Sequence, residues 1–439
     1  MKKVNSSILV FVMNLLFMGN FQIVRAQSLV DSIKVMSYNV GDFGTAPSSN
    51  CPLFNFNLKS NYLKTILQYD KPDIIAMLKI NASKSFCKDT IINYVLDSIC
   101  LGCWNYGEYT LESSYPKVNM FYFNKNKFGF VKTAVIYNAD KNISDITLHK
   151  LFYRANDLAD THDTIFINFV VAHLKSGANN TNDRATEIAG AMSWLNANIS
   201  NNENIVFMGD LNTTSSNESC FQSLINPINS NIKFFDPPNQ LGNWDSQPNS
   251  FAYYLTQSTR INDPGDCNAV GGMDNRFDHI LLNASLMNGT HSFKYISGSY
   301  QVIGQDGLHV NKALIDPPSN PTIPSDMTNA LYYMSEHLPV VLKLIINDTI
   351  ISGIQTLSNQ QASFELYPNP SNSKINILAS GNNKIESIKL VSILGEEIFS
   401  NIINSNQASI DVSSFSKGLY LIQIIYENKK IATRRIAIQ

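Results

Sequence analysis

The sequence predicts an α/β layered domain followed by a small β-sandwich, and three observations carry that expectation. Short apolar runs at 33–38 (IKVMSY), 73–78 (DIIAML), 118–123 (VNMFYF), 165–171 (IFINFVV) and 205–208 (IVFM) have the length and composition of buried strands, and several end abruptly in polar residues. Amphipathic stretches stand between them, so that strand, polar end, helix and strand recur. From Phe364 the texture changes to short strands separated by turn residues.

The stretch 205–214, IVFMGDLNTT, organises the first domain. Asp210 and Asn212 stand two apart, which in an extended or tightly turned chain points both side chains the same way at the open end of a strand. A carboxylate and a carboxamide there suit a hard cation or a phosphate, because Mg²⁺ and Ca²⁺ prefer oxygen ligands. Taken alone, a strand running into an Asp/Asn turn explains the stretch equally well. Upstream, the first strand ends in Asn39-Val40-Gly41-Asp42, which by itself is ordinary loop chemistry. Residues 58–69 keep Leu58, Tyr62, Ile66 and Leu67 on one helical face until Lys71-Pro72-Asp73 breaks it, and the following strand ends at Lys79. The strand at 165–171 delivers His173, although a lone His at a strand end is more often structural. In the next helix Ala185, Ile188, Ala189, Met192, Leu195 and Ile199 form an apolar stripe, with Thr181 or Asn182 as cap. A long Pro-, Asn- and Asp-rich region then reads as partly functional surface loop. Asp278-His279 opens the apolar run 280–282, residues 305–311 form a polar loop cluster, and Glu336-His337 precedes a strand at 338–345.

With 439 residues there is room for two or three domains. The formal net charge is −2 and no Lys/Arg tract is present, so no basic surface advertises nucleic acid or acidic lipid. A nuclease stays open, because a bound metal can supply the local positive field. Residues 1–26 read as an export signal, Lys2 and Lys3 preceding an apolar core at 8–18, with a mature start expected at Gln27. No lipid anchor and no transmembrane segment are expected, and the chain is expected to be a monomer. The six cysteines all fall in the exported part, where disulfides are permitted. Cys100 and Cys103 form a C-x-x-C, and Cys220 with Cys267 could staple the loop after the central stretch.

Asn39, His173, Asp210/Asn212, Asp278/His279 and Glu336/His337 stand at strand ends in one chain order. With the words SYN, AHLKSG, GDLN, FDHIL and SEHLPV, they resemble the endonuclease/exonuclease/phosphatase superfamily, the deoxyribonuclease-I-like fold, over residues 30–346. The resemblance implies a four-layer α/β sandwich: two packed mixed β-sheets flanked by helices, with the site at one end. It also implies hydrolysis of phosphodiesters or phosphomonoesters with Mg²⁺ or Mn²⁺, and an extracellular nuclease suits an exported chain. Carried over by motif, His337 is the general base, Asp278 helps to position it, Asp210 and Asn212 hold metal, water and phosphate, and His173 donates to a phosphoryl oxygen. Asn39, Asp210, Glu336 and Asp42 are the metal-shell candidates. Substrate contacts fall to Asn212, His173, His279, Lys79 and Tyr115; at the last position Lys117 is the alternative.

Two departures from the family pattern stand out. The second strand normally ends in Gln-Glu, the Glu being the principal metal ligand, whereas here it ends in Leu78-Lys79. An ammonium in place of that anion at about 4 Å from a divalent ion removes attraction and adds repulsion, each several kcal/mol even at an effective dielectric of about 20. Glu336 stands where the family has Asp, keeping the charge on a longer arm. Three readings follow for Lys79: loss of catalysis with a retained phosphate- or ligand-binding cleft, direct contact of the ammonium with phosphate, or an ion shifted towards Asp42 and Glu336.

Residues 347–362 read as a linker. The closing segment, 363–439, with YPNP, ILGEEI, SKGLYLIQI and a basic close at 429–435, resembles the type A sorting domain of the type IX secretion system. The resemblance implies an Ig-like sandwich, Sec export followed by type IX passage across the outer membrane, and release or surface attachment.

Overall fold

Strands 204–210 and 278–283 are buried at every position, as strands must be when both faces of their sheet are covered. The computed structural model describes residues 30–83, 85–109, 116–138, 144–154, 164–200, 202–228, 230, 232–347, 364–379, 384–392, 397–427 and 431–439. The expected export signal, Tyr115 and the linker beyond Asn347 lie outside the described residues. The chain divides into two compact units, 1–350 and 351–439.

The strands of the first unit are β1 (Val30–Phe43), β2 (Ile74–Asn81), β3 (Trp104–Tyr106), β4 (Lys117–Asn124), β5 (Phe128–Tyr137), β6 (Ile146–Tyr153) and β7 (Phe166–His173). They continue with β8 (Asn204–Asp210), β9 (Phe234–Phe235), β10 (Asp278–Asn283), β11 (Phe293–Tyr295), β12 (Gln301–Val302) and β13 (Val340–Asn347). One sheet has the order β11-β13-β1-β2-β4-β3, with β12 also on β13, and the other β5-β6-β7-β8-β10-β9. Both are mixed: β1 and β2, and likewise β7 and β8, run parallel, while neighbours such as β1 and β13 or β8 and β10 run antiparallel. The sheets pack face to face, with β1 against β8 and β10 and β4 against β7. Phe121 of β4 stacks on His149 of β6 at 4.5 Å and lies 5.1 Å from Phe169 of β7.

Helices cover the outer faces. Helix α1 (Phe56–Asp70) starts at Asn55, whose side chain accepts from Leu58 N at 3.1 Å, and buries Leu63, Ile66 and Leu67. Its end is tied to the first sheet by Lys34 of β1, 2.9 Å from the Asp70 carboxylate. Helix α2 (Thr181–Asn198) lies on β5, so closely that a side chain at Gly190 would enter the Tyr137 ring. Helix α3 (Ser219–Ile225) packs on α2, and α4 (Ser325–Met334) packs on α1, Tyr62 stacking on Tyr333 at 5.6 Å. This is the expected four-layer sandwich.

Some local expectations are corrected. Asn180, not Thr181 or Asn182, precedes α2. Cys267 bonds Cys51 rather than Cys220, which is buried as a free thiol on α3, and Cys100 bonds Cys103. The reason lies in the backbone: Leu53 N donates to Gly265 O at 2.9 Å, so the loop carrying Cys267 is paired with the turn carrying Cys51.

The second unit has one sheet of β14 (Phe364–Tyr367), β15 (Lys374–Ala379) and β18 (Gln407–Asp411). The other contains β16 (Ile385–Ser392), β17 (Glu397–Ser405), β19 (Gly418–Tyr426) and β20 (Ile431–Ile438) in the order β17-β16-β19-β20. Phe364, Ile375, Ile388, Ile422 and Ile436 are buried in its core, which makes it the expected small β-sandwich.

Candidate active site

Register alone assembles half of the site. His173 is the Cα partner of Asp210 across β7 and β8, and Asp210 is the partner of Asp278 across β8 and β10. Partners share a face, so the three side chains leave the second sheet in one row. Gly209, one residue before Asp210, has φ 146°, and a Cβ there would stand 1.8 Å from Ala172 O. Only glycine allows the strands to approach at that level. The first sheet supplies Asn39 from β1, where its pairing with β2 slips, Lys79 from β2, and Glu336 and His337 from the turn into β13.

The two halves meet at His337. Its Nδ1 lies 2.6 Å from Asp278 Oδ2, and its Nε2 lies 2.8 Å from Gln257 Nε2, 3.3 Å from Asn39 Nδ2 and 3.7 Å from Asp210 Oδ2. Asn39 Nδ2 also donates to Asp210 Oδ2 at 2.9 Å, and His173 Nε2 is 3.5 Å from that same oxygen. Asp210 Oδ1 accepts the backbone N–H of Asn212, which sits at φ 50° and donates its own amide to Leu174 O at 3.0 Å. Asn212 therefore joins the loops that follow β7 and β8. Asp278 Oδ1 and His173 Nδ1 are buried without a hydrogen-bond partner, which leaves unmet capacity on either side of His337.

Electrostatics follow from this packing. Burial pushes the His337 imidazole down, but Asp278, Asp210 and Glu336 outweigh it and raise the pKa to about 9. The two amide groups aimed at Nε2 favour the neutral ring, and turning the Gln257 amide over would present its oxygen to an imidazolium instead. With carboxylates on both sides of the ring, the cation dominates at neutral pH. His173 moves the other way: burial lowers its pKa against the pull of Asp210, and Lys79 lowers it further. Burial pushes the Glu336 carboxyl up, but the charges of Lys79, His337 and Arg260 hold it at about 2.

Lys79 occupies the far side of the cleft. Its Nζ lies 3.4 Å from Glu336 Oε1 and 3.6 Å from Asp42 Oδ2, and Lys117 Nζ lies 3.3 Å from Asp42 Oδ1. The backbone here is forced: Lys79 has φ 64° and Asp42 φ 57°, and the β1/β2 register slips between Asn39 and Phe43. A left-handed Lys costs about 1–2 kcal/mol, a bulge of the kind that re-aims a side chain. A divalent ion about 4 Å from that ammonium would meet a repulsion of roughly 8 kcal/mol, twice the value for two unit charges at an effective dielectric of 20. With Lys79 and Lys117 already offsetting Asp42 and Glu336, the place between Asn39, Asp42 and Glu336 offers such an ion no net negative charge. Among the described residues, the donors of Asp210, Asp278 and His337 lie within 4.8 Å of one another, close enough to hold a metal together. An ion there would compete with the bonds that His337 already makes.

The sequence candidates sort cleanly. Asn39, Lys79, His173, Asp210, Asn212, Asp278, Glu336 and His337 converge, and Asp42 reaches the cluster through Lys79. His279 does not: the alternation of β10 turns it away from Asp278, and it is buried 5.0 Å from Trp244 and 5.2 Å from Phe221, with Nε2 on Arg276 O. Burial drives its pKa to about 3, so it is a neutral core histidine rather than a phosphate ligand. Sequence reasoning missed Gln257, which comes from the long loop with no motif to mark it. It also missed Ser335, whose Oγ donates to Asn39 O at 2.7 Å. Arg184 is a third omission: it donates to Lys175 O and Gly177 O and pairs with Glu218 at 2.6 Å, bracing the loop after His173.

A mixed two-sheet sandwich with an acid, amide and imidazole cluster at one end of its strands is thus the class of the first unit. For the second unit, residues 365–439 match the family described as "Secretion system C-terminal sorting domain". That domain directs the chain through type IX secretion to the cell surface or the outside. No curated protein matches the sequence. Among solved structures, D. rerio TDP2 complexed with single strand DNA product is similar at 12% identity and TM-score 0.44, covering 72% of this chain and 99% of that one. The human Nocturnin catalytic domain with bound sulfate anion gives 13% and 0.41, covering 71% and 94%. An endonuclease/exonuclease/phosphatase family protein from Bacteroides thetaiotaomicron gives 12% and 0.43, covering 72% and 98%.

Proposed function

We propose that the first unit hydrolyses phosphodiesters outside the cell, with nucleic acid as the substrate class and His337 as general base. The observation that carries this reading is the 2.6 Å contact of Asp278 with His337 Nδ1, which leaves Nε2 directed at Asn39 and Asp210. In-line attack on phosphorus needs a base for the water and donors for the phosphoryl oxygens. His337 Nε2 takes the proton of the water, while Asp278 fixes the ring and stabilises the imidazolium that forms. His173, kept neutral by burial, donates a ring N–H to a phosphoryl oxygen. Asn39 and Asn212 orient water and phosphate, and the ammonium groups of Lys79 and Lys117 give the anion a positive approach. Asp210, with the spare oxygen Asp278 Oδ1, would hold a Mg²⁺ or Mn²⁺ that polarises a phosphoryl oxygen, leaving His337 Nε2 to act as base.

The pairing of Lys79 with Glu336 favours a second reading, a phosphate- or ligand-binding protein without turnover. The full chain and His337→Ala should be compared on plasmid DNA, RNA and bis(p-nitrophenyl) phosphate, each with Mg²⁺, Mn²⁺ or EDTA. Turnover by the parent that His337→Ala lacks supports the hydrolase; equal turnover in both, or none in the parent under any condition, removes it.

A further inference from the structure

We propose that Lys79 is the resident cation of this site: its ammonium, held between Glu336 and Asp42, binds the substrate phosphate without a divalent ion. The proposal deepens the phosphodiester reading above and rests on it for the identity of the ligand.

Four charged groups alternate in sign across the cleft. Glu336, Lys79, Asp42 and Lys117 follow one another at 3.4, 3.6 and 3.3 Å. Exposure grades along the first pair, the Glu336 side chain being 2% exposed and that of Lys79 22%, so the lysine is the member of the pair nearer solvent. The backbone is committed to this arrangement. Besides the slip against β1, the β2/β4 register shifts between Met77 and Ile80, so Lys79 is bulged from both neighbours at once. The charge also acts at the right place, since Lys79 bears electrostatically on His173 and is the foremost opposing charge on Glu336.

The two departures from the family pattern are then one change. A lysine at 79 adds a cation, and the extra methylene of Glu336 carries a carboxylate within 3.4 Å of it. The other face of Glu336 is closely packed: Ser335 Oγ, whose proton goes to Asn39 O, lies 3.2 Å from Oε2, and a Cβ on Gly41 would stand 2.7 Å from that oxygen. The carboxylate is thus confined to the orientation that holds Lys79. A lysine binds phosphate as a compact point charge and needs no coordination shell.

The test uses the full chain, treated with EDTA and desalted, beside Lys79→Met and the charge-balanced double variant Lys79→Met/Glu336→Gln. The double variant guards against unfolding caused by an unpaired buried carboxylate. Calorimetric titration with inorganic phosphate is the first readout and hydrolysis of bis(p-nitrophenyl) phosphate the second. Expected are phosphate binding by the metal-free parent, weakened at least tenfold in both variants, and hydrolysis at the same rate with or without EDTA. Phosphate binding that appears only with Mg²⁺ or Mn²⁺, or that is equal in the parent and the double variant, overturns the assignment. The two proposals separate cleanly. Binding through Lys79 without cleavage of any diester keeps the resident cation and removes the hydrolase. Cleavage that requires an added ion keeps the hydrolase and removes the resident cation.

Discussion

Asp210 and Asp278 are directly opposed on β8 and β10, so two carboxylates leave one face of the sheet side by side. Like charges at such a pair repel. His337 relieves the repulsion, with Nδ1 2.6 Å from Asp278 and Nε2 3.7 Å from Asp210, and its pKa of about 9 is the consequence.

If His337 is the base, only its neutral form is active. The rate on bis(p-nitrophenyl) phosphate should therefore rise about tenfold per pH unit through neutrality and level off above about pH 9. Asp278→Asn removes the nearest carboxylate, moving that break to lower pH and cutting the plateau by roughly 10²–10⁴. A parent profile that is flat from pH 6 to 9 would exclude His337 as base.

The same group links stability to pH. Its folded pKa is raised above the unfolded 6.5, so its contribution is complete below 6.5 and is lost as pH climbs through about 9. At about 1.4 kcal/mol per unit this amounts to a few kcal/mol. Urea midpoints of the parent should fall across that window, and those of His337→Gln should fall less; parallel curves would contradict the linkage. Glu336 has the opposite sign. Its folded pKa is depressed to about 2, so its contribution is present above 4.5 and lost as pH falls through 2.

The two strand-end histidines should behave differently. His279→Phe keeps a ring against Trp244 and Phe221, and should cost about 1–2 kcal/mol of stability by orphaning Arg276 O while leaving kcat within a few-fold. His173→Ala should cost kcat by roughly 10²-fold or more with little loss of stability. Reversal of the two phenotypes would refute the assignment.

Beneath the site, Asp266 accepts from both Lys59, at 2.8 Å, and Arg260, and all three are fully buried or nearly so. Asp266→Asn leaves two buried cations sharing no anion, and should destabilise the first unit by roughly 3–5 kcal/mol. Chemical denaturation measures this directly, and a loss below 1 kcal/mol would mean that water reaches the network.

Much of the fold was legible because β1, β2, β4, β7, β8 and β10 are near-continuous apolar runs ending in polar residues. Strands β5 and β6 were not. Lys132, Lys150 and His149 interrupt their pattern, and tertiary pairing, β5 on β6 and β6 on β7, rather than local sequence makes them strands. At the site, motif residues such as His173, Asp210 and His337 could be named because strand ends deliver them. Gln257, Ser335 and Arg184 could not, since their roles depend on hydrogen bonds to distant backbone and side chains. His279 misled because adjacency to Asp278 in sequence becomes opposition across a pleat.

The row His173, Asp210, Asp278 also makes the site a sensor of strand alignment. A one-residue slip of β8 would turn Asp210 away from both neighbours, and would also put a side chain where Gly209 now lets the strand pass Ala172 O. The close packing of β7 on β8 and the row of catalytic candidates are therefore fixed by the same register. A chain that packs its two sheets correctly has, by the same register, assembled His173, Asp210 and Asp278.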